Sequence, residues 1–134
     1  MIDITKVNHI GLRVKNFETS RNFYEQLGFK HVAGPLSSEP VAIVEHPSGV
    51  NINFIVNADQ HHEINQLMDV AAKYSGYTHV ALEVNSADET LSKLGDLGIS
   101  LSGEPMQHLN GVSFFIRDPD RNVIEFIEYK KRDN

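Results

Sequence analysis

The sequence predicts an α+β fold built from two βαβββ modules in tandem, and three observations carry that reading. The chain resembles itself at a fixed offset of 70 residues, each copy opens on a strand of alternating apolar residues, and each then enters a helix that stops at a Leu-Gly pair. A fixed internal period is evidence of repeated supersecondary units and outranks local propensity as a guide to architecture.

Under that offset His9-Ile10-Gly11-Leu12-Arg13-Val14 falls on His79-Val80-Ala81-Leu82-Glu83-Val84, Leu27-Gly28-Phe29 on Leu97-Gly98-Ile99, and Pro35 on Pro105. After a slip of two residues Pro47 falls on Pro119 and Ile52-Asn53-Phe54-Ile55 on Ile124-Glu125-Phe126-Ile127. An ordered series of this length is not a chance coincidence.

The first strand, residues 6–14, puts Ile10, Leu12 and Val14 on one face and His9, Gly11 and Arg13 on the other, the period of a half-buried strand. A helix over about 17–27 follows and ends at Gly28, where glycine adopts a left-handed backbone at little cost. The second half repeats this with Ser86 or Asp88 as the cap and Gly98 as the stop. Three strands then complete each half, at 30–33, 41–46 and 51–57, and at 99–102, 112–117 and 122–129. Turns at Pro47-Ser48-Gly49 and Pro119-Asp120-Arg121-Asn122 separate the last two strands of each half. Between the halves Ile64, Leu67, Met68 and Ala71 fall at helical spacing. The expected organisation is one domain over 1–134, with a first module at 1–57, a helical linker at 58–76 and a second module at 77–130.

Composition narrows the function. The 134 residues include no cysteine, which removes disulfides, thiolate ligands and a cysteine nucleophile together. Any metal must then be held by His and carboxylate. A net charge of -6 offers no attraction to a polyanion, and basic residues gather only at Lys130-Lys131-Arg132, so nucleic acid is not expected as a partner. The first residues lack the apolar core of a signal peptide, and no apolar run approaches the roughly 20 residues that span a membrane. A soluble cytoplasmic protein is expected.

Two equivalent halves related by a pseudo-twofold axis should bring His9 to face His79 and Asn53 to face Glu125. Parity on each first strand puts the histidine opposite the aliphatic residues. Glu125 lies between Ile124 and Phe126 in a strand apolar enough to be buried on both faces. An unpaired charge there costs several kcal/mol or forces protonation, and a metal cation removes the cost. Two imidazoles and one carboxylate suit Fe(II), Mn(II), Zn(II), Co(II) or Ni(II), with coordination positions left for substrate. His9, His79 and Glu125 are therefore the expected ligands of one divalent metal ion, with Asn53 as a fourth, neutral corner. Two neutral histidines and one carboxylate leave the shell a net charge of +1, which favours Lewis-acid behaviour.

The segments Asn8-His9-Ile10-Gly11-Leu12, Tyr77-Thr78-His79-Val80-Ala81-Leu82 and Asp118-Pro119-Asp120-Arg121-Asn122-Val123-Ile124-Glu125 closely resemble the signature stretches of the vicinal oxygen chelate superfamily. That superfamily includes glyoxalase I, methylmalonyl-CoA epimerase, extradiol dioxygenases, fosfomycin-resistance enzymes and bleomycin-binding proteins. The resemblance implies paired βαβββ modules forming a curved mixed sheet around a metal site, a small-molecule substrate and a homodimer, with His9 working beside His79 and Glu125 of the partner subunit.

Departures from the family patterns bear on the reaction. Glyoxalase I has Glu where this chain has Asn53, and the epimerase often has Gln there. Ring-cleaving dioxygenases carry Tyr where this chain has Phe115, and fosfomycin enzymes usually have Thr or Cys at the place of Gly11. The family's usual glycine after Asp-Pro-Asp is Arg121, so the positive-φ turn is expected to move to Asn122.

Three functions stay open: a glyoxalase-like lyase or isomerase, an Fe(II) ring-cleaving dioxygenase-like enzyme, and a non-catalytic drug- or metabolite-binding module. In the first, Glu125 moves a proton while the metal chelates two adjacent substrate oxygens. His108, in the loop 103–111, is a second proton-transfer or substrate-binding candidate because such loops close over substrate. His61-His62-Glu63 is a weaker alternative metal cluster, and His31 and His46 read as surface strand residues.

Overall fold

A computed structural model gives the architecture and describes residues 1–130. The elements run β1 (Ile10–Arg13), α1 (Phe17–Gln26), β2 (Lys30–Ala33), β3 (Val41–Glu45), β4 (Asn51–Ile55), β5 (His79–Glu83), α2 (Ala87–Asp96), β6 (Met106–His108), β7 (Gly111–Arg117) and β8 (Val123–Tyr129). Each half is thus strand, helix and three strands, as the repeat predicts. The chain divides into two compact units, one ending at His62 and one beginning at Glu63.

In the first unit a four-stranded mixed sheet has the order β1-β4-β3-β2, with β1 parallel to β4 and the other pairs antiparallel. The second unit repeats it as β5-β8-β7-β6. Alternation assigns one face of each sheet to a helix. In the first unit Val14, Ala42, Val44, Ile52 and Phe54 are buried there, with the Tyr24 ring of α1 5.3 Å from that of Phe54. In the second, Ile124, Phe126, Phe114 and Ile116 are buried together with Leu94 and Ala87 of α2. Each fully buried side chain of this size contributes about 1.5–3 kcal/mol.

The helix ends are as regular as the cores. Asn16 caps α1 by accepting from the Thr19 amide at 3.0 Å, and Ser86 caps α2 by accepting from Glu89 at 3.1 Å. At the other ends Phe29 donates to Tyr24 O and Ile99 to Leu94 O, while Gly28 and Gly98 donate one turn back, which closes both helices with the same left-handed cap. Gly28 and Gly98 take φ values of 103° and 73°.

Four local expectations are corrected. Residues 6–9 are not strand, because the parallel partner β4 begins only at Asn51, opposite the stretch just before Ile10. The strand expected at 99–102 lies instead at Met106–His108: Ser102 donates once to Phe115 O, the chain then bends, and Pro105 has no N–H with which to extend a ladder. The helix expected between the halves is absent, and residues 58–76 form turns and bends. Asn65 explains this, since its side-chain oxygen takes the amides of Leu67 and Met68, leaving one turn closed by Asp69 N–H to Asn65 O. Finally, the positive φ stays on Arg121, at 71°, and does not move to Asn122.

Side-chain hydrogen bonds hold Arg121 in this conformation. The buried Asp118 carboxylate accepts from the amides of Asp120 and Asn122 and from the Asn122 side chain, each at 2.9 Å. The Arg121 carbonyl meanwhile accepts from Arg117 Nη1 at 2.9 Å and Asn65 Nδ2 at 3.2 Å. Together these bonds outweigh the roughly 1–2 kcal/mol that a side chain costs in this conformation.

No helix among the described residues is long and apolar enough to cross a membrane.

Two glycines separate conformational from steric demand. A Cβ on Gly98 meets nothing within 4 Å, so Gly98→Ala is expected to lose only about 1–2 kcal/mol, from the left-handed backbone. A Cβ on Gly111 stands 2.0 Å from the Glu128 carbonyl oxygen, so Gly111→Ala is expected to abolish cooperative folding. Urea unfolding followed by circular dichroism distinguishes the two.

Candidate active site

The face of each sheet turned away from its helix carries the polar residues. In the second unit Ala81 pairs with Glu125 and Glu125 with Phe115 across three neighbouring strands. Directly paired residues share a face, so Glu125 projects on the side of His79, Phe115 and Ser113. In the first unit Gly11 pairs with Asn53 and Asn53 with Ile43. The register is the same, which puts Asn53 and Glu125 at equivalent places in their own sheets.

Glu125 meets the demand of an apolar strand through His79, whose Nε2 lies 2.9 Å from Glu125 Oε1. The Glu125 side chain is only 14% exposed and that of His79 32%. The far side of the imidazole is held as well, with Nδ1 2.8 Å from Thr78 Oγ1. Phe115 stands edge-on to the ring at a centroid distance of 5.6 Å. His79 is thus clasped on three sides, and its Nε2 and the carboxylate converge on one spot.

That spot suits a divalent cation. Two donors in adjacent positions around one ion, each about 2.1 Å from it, lie about 3 Å apart, close to the separation found here. Neutral imidazole and carboxylate are also the donor types such ions take. Among the described residues no group of three or more His, Asp or Glu side chains gathers at one point. His9 is exposed just ahead of β1, its Nδ1 2.8 Å from Asn8 Oδ1, and Asn53 is half-buried on β4.

On the same face of the second sheet, His108 Nε2 is 2.7 Å from the hydroxyl of Ser113, a residue only 1% exposed. Cross-strand pairing puts Ser113 opposite Ile127, two residues along β8 from Glu125, so Ser113 is a diagonal neighbour of Glu125. His108 therefore belongs to the face that carries the His79–Glu125 pair. Sequence reasoning missed Ser113, and its signal was available: a serine in the otherwise apolar run Val112-Ser113-Phe114-Phe115-Ile116.

Three of the four remaining histidines engage local partners through their rings, and the exposed His61 donates its backbone amide to Asp59 Oδ1 at 3.1 Å. His62 pairs with Asp59 at 3.1 Å in the first unit, His46 bonds to Ser48 at 2.7 Å just past β3, and His31 reaches the Gly34 carbonyl at 2.5 Å.

One end of the site face is anchored by an ion pair. Arg117 grips Asp69 with two bonds of 2.9 and 3.0 Å, and Asp69 also accepts from the Asn65 amide at 2.8 Å. The bond from Arg117, then that from Asn65, hold the Asp69 carboxyl below the usual carboxylate range against an opposing effect of burial.

The second of two repeated βαβββ sheets thus carries a histidine and a carboxylate paired on its open face. A model of the Glyoxalase/Bleomycin resistance protein/Dioxygenase superfamily matches residues 6–126, and the chain belongs to that family. It is 28% identical over 138 aligned positions to proteins named lactoylglutathione lyase from Neisseria meningitidis serogroups A and B, covering 94% of this chain and 92% of each relative. A glyoxalase family protein from Enterococcus faecalis superposes with a TM-score of 0.76 at 20% identity, over 92% of this chain and 97% of that one. A glyoxalase/dioxygenase from Nostoc punctiforme does so at 0.73 and 21%, over 94% and 92%. At such identities the structural matches speak for the fold.

The Asp69 pair yields a pH test. Its lowered folded value means that its stabilisation is present above the unfolded carboxylate value, about 3.9, and is lost as pH falls through the folded one. Asp69→Asn should be less stable than the parent at pH 7, with the gap closing below about pH 4 in urea midpoints.

Proposed function

We propose that the protein is a divalent-metal-dependent lyase or isomerase acting on a small substrate that chelates the metal through two adjacent oxygens. The observation that carries the proposal is the His79 Nε2–Glu125 Oε1 pair, two donors 2.9 Å apart on the open face of the second sheet. His9 supplies the third ligand and Asn53 a neutral fourth corner, and the ion is Zn, Ni, Co, Mn or Fe(II). When bound, it supplies positive charge that polarises substrate oxygens.

The chain's own residues do the rest. Glu125, acceptor-only when ionised, takes a proton from a carbon next to a substrate carbonyl and returns it to the neighbouring position. Thr78 and Phe115 hold His79 so that this carboxylate keeps its place. His108, oriented by Ser113, is a second proton-transfer or substrate-binding group. The protein acts in the cytoplasm as a homodimer, with His9 of one chain serving His79 and Glu125 of the partner subunit.

Relatedness to proteins named lactoylglutathione lyase supports the lyase reading and makes the thiol adduct of a 2-oxoaldehyde with glutathione the first substrate to test. The ring-cleaving alternative is disfavoured by Phe115, whose ring edge meets His79 without a hydroxyl.

Elemental analysis of protein purified without a metal-affinity tag should find about one divalent ion per chain, and His79→Ala and Glu125→Gln should each lower its retention at least 10-fold. Mixing His9→Ala with His79→Ala chains by co-expression should restore metal at one of two sites. No metal in the parent, with unaltered stability in Glu125→Gln, would overturn the proposal. Iron accompanied by oxygen uptake would replace isomerisation with ring cleavage.

A further inference from the structure

We infer that Asn8 and Thr78 are positioning residues, each engaging Nδ1 of the histidine that follows it and so presenting that histidine's Nε2 as the ligand nitrogen. This rests on the reading of His9 and His79 as metal ligands. The observation is a duplicated one. In each unit taken by itself, at positions related by the offset of 70, a side-chain oxygen lies 2.8 Å from the Nδ1 of the next residue: Asn8 Oδ1 at His9 and Thr78 Oγ1 at His79.

The chemistry follows from the imidazole. A neutral ring carries one N–H, and only the other nitrogen has a lone pair to give to a cation. An amide oxygen accepts and never donates, so the contact with Asn8 requires the hydrogen on His9 Nδ1 and leaves Nε2 as the electron-pair donor. A hydroxyl does both. Thr78 donates to His79 Nδ1 while Nε2–H donates to Glu125, and it accepts from Nδ1–H when Nε2 turns its lone pair to a cation. Asn8 thus holds His9 in one tautomer, whereas Thr78 allows His79 to exchange a proton partner for a metal without losing its second bond.

Geometry favours such a role over simple surface decoration. His9 is exposed and precedes its strand, so nothing in the sheet ladder orients its ring. His79 is oriented on its other sides by Glu125 and Phe115, and Thr78 closes the third. Outer partners of ligating histidines commonly change metal affinity 10–100-fold.

The test uses the full-length protein, stripped of metal and titrated with Zn(II), Ni(II) or Co(II) against a chromophoric chelator, beside long-range 1H–15N spectra of the histidine side chains. His9 in the metal-free parent should carry its hydrogen on Nδ1. Asn8→Leu and Thr78→Val should each weaken binding about 10–100-fold with the thermal unfolding of metal-free protein unchanged, while Asn8→Asp and Thr78→Ser stay near the parent. Parent-like affinity in Asn8→Leu and Thr78→Val, or a hydrogen on His9 Nε2, would overturn the inference and leave the metal reading intact. A folded parent that binds none of the three ions would overturn that reading and the positioning role with it.

Discussion

A carboxylate on an apolar strand has to be compensated, and the contact between Glu125 and His79 is where this fold does so. Glu125 is almost enclosed between Ile124 and Phe126, on a strand hydrogen-bonded on both sides. Its partner comes from a strand that lies beside it only because β5 and β8 run parallel, and parallel neighbours require an intervening crossover. The helix and the β6–β7 hairpin of the second unit form that crossover. The chain's most local chemical fact, one acid nearly enclosed on an apolar strand, therefore depends on a far less local connection, a pairing across 46 residues of sequence.

Much of the fold was legible in the sequence because duplication supplies its own control. An alternating stretch such as 10–14 is weak evidence alone, but with 80–84 in the same register it becomes a repeated element. Both helix stops were readable because glycine marks the left-handed cap in each copy. What could not be read was where a partner is available. Residues 6–9 run straight into the alternating stretch, yet strand is a property of a pair, and β4 gives no partner before Ile52. The linker failed for the opposite reason. Its apolar spacing is helical, but Asn65 and Asp69 spend their side chains on nearby amides and on Arg117, and those bonds hold a turned path that periodicity does not register.

The candidate site was legible to a similar extent. Glu125 stood out as the misplaced charge of its strand, and offset 70 linked His79 to His9 without any appeal to geometry. The contacts around the imidazole were not foreseen, although each was written in an adjacent residue type: Thr78 before His79, Asn8 before His9, Ser113 in an apolar run. Short polar side chains beside a histidine are common enough to pass unnoticed, and only the three-dimensional arrangement distinguishes the engaged ones. Arg121 was misjudged because the expectation weighed its intrinsic strain and not the Asp118 and Arg117 bonds that hold the turn.

Comparing the two sheets residue by residue shows how a duplicated fold becomes asymmetric. Asn53 occupies the place of Glu125, Ile43 that of Phe115 and Val41 that of Ser113, each pair defined by identical ladder positions. The helix-facing positions stayed apolar: Ile52 and Phe54 correspond to Ile124 and Phe126, Val44 to Ile116 and Ala42 to the much larger Phe114. A substitution on the helix side must stay apolar, and a change of volume such as that between Ala42 and Phe114 has to be met by the neighbouring side chains. The open face carries no such requirement, and polar groups could accumulate in one copy while the other stayed aliphatic. The second sheet gathered the acid, the clasped histidine and the His108–Ser113 pair, and the neutral amide of Asn53 is the counterpart left in the first. A site composed on such a scaffold can change its charge at a single corner without disturbing either core.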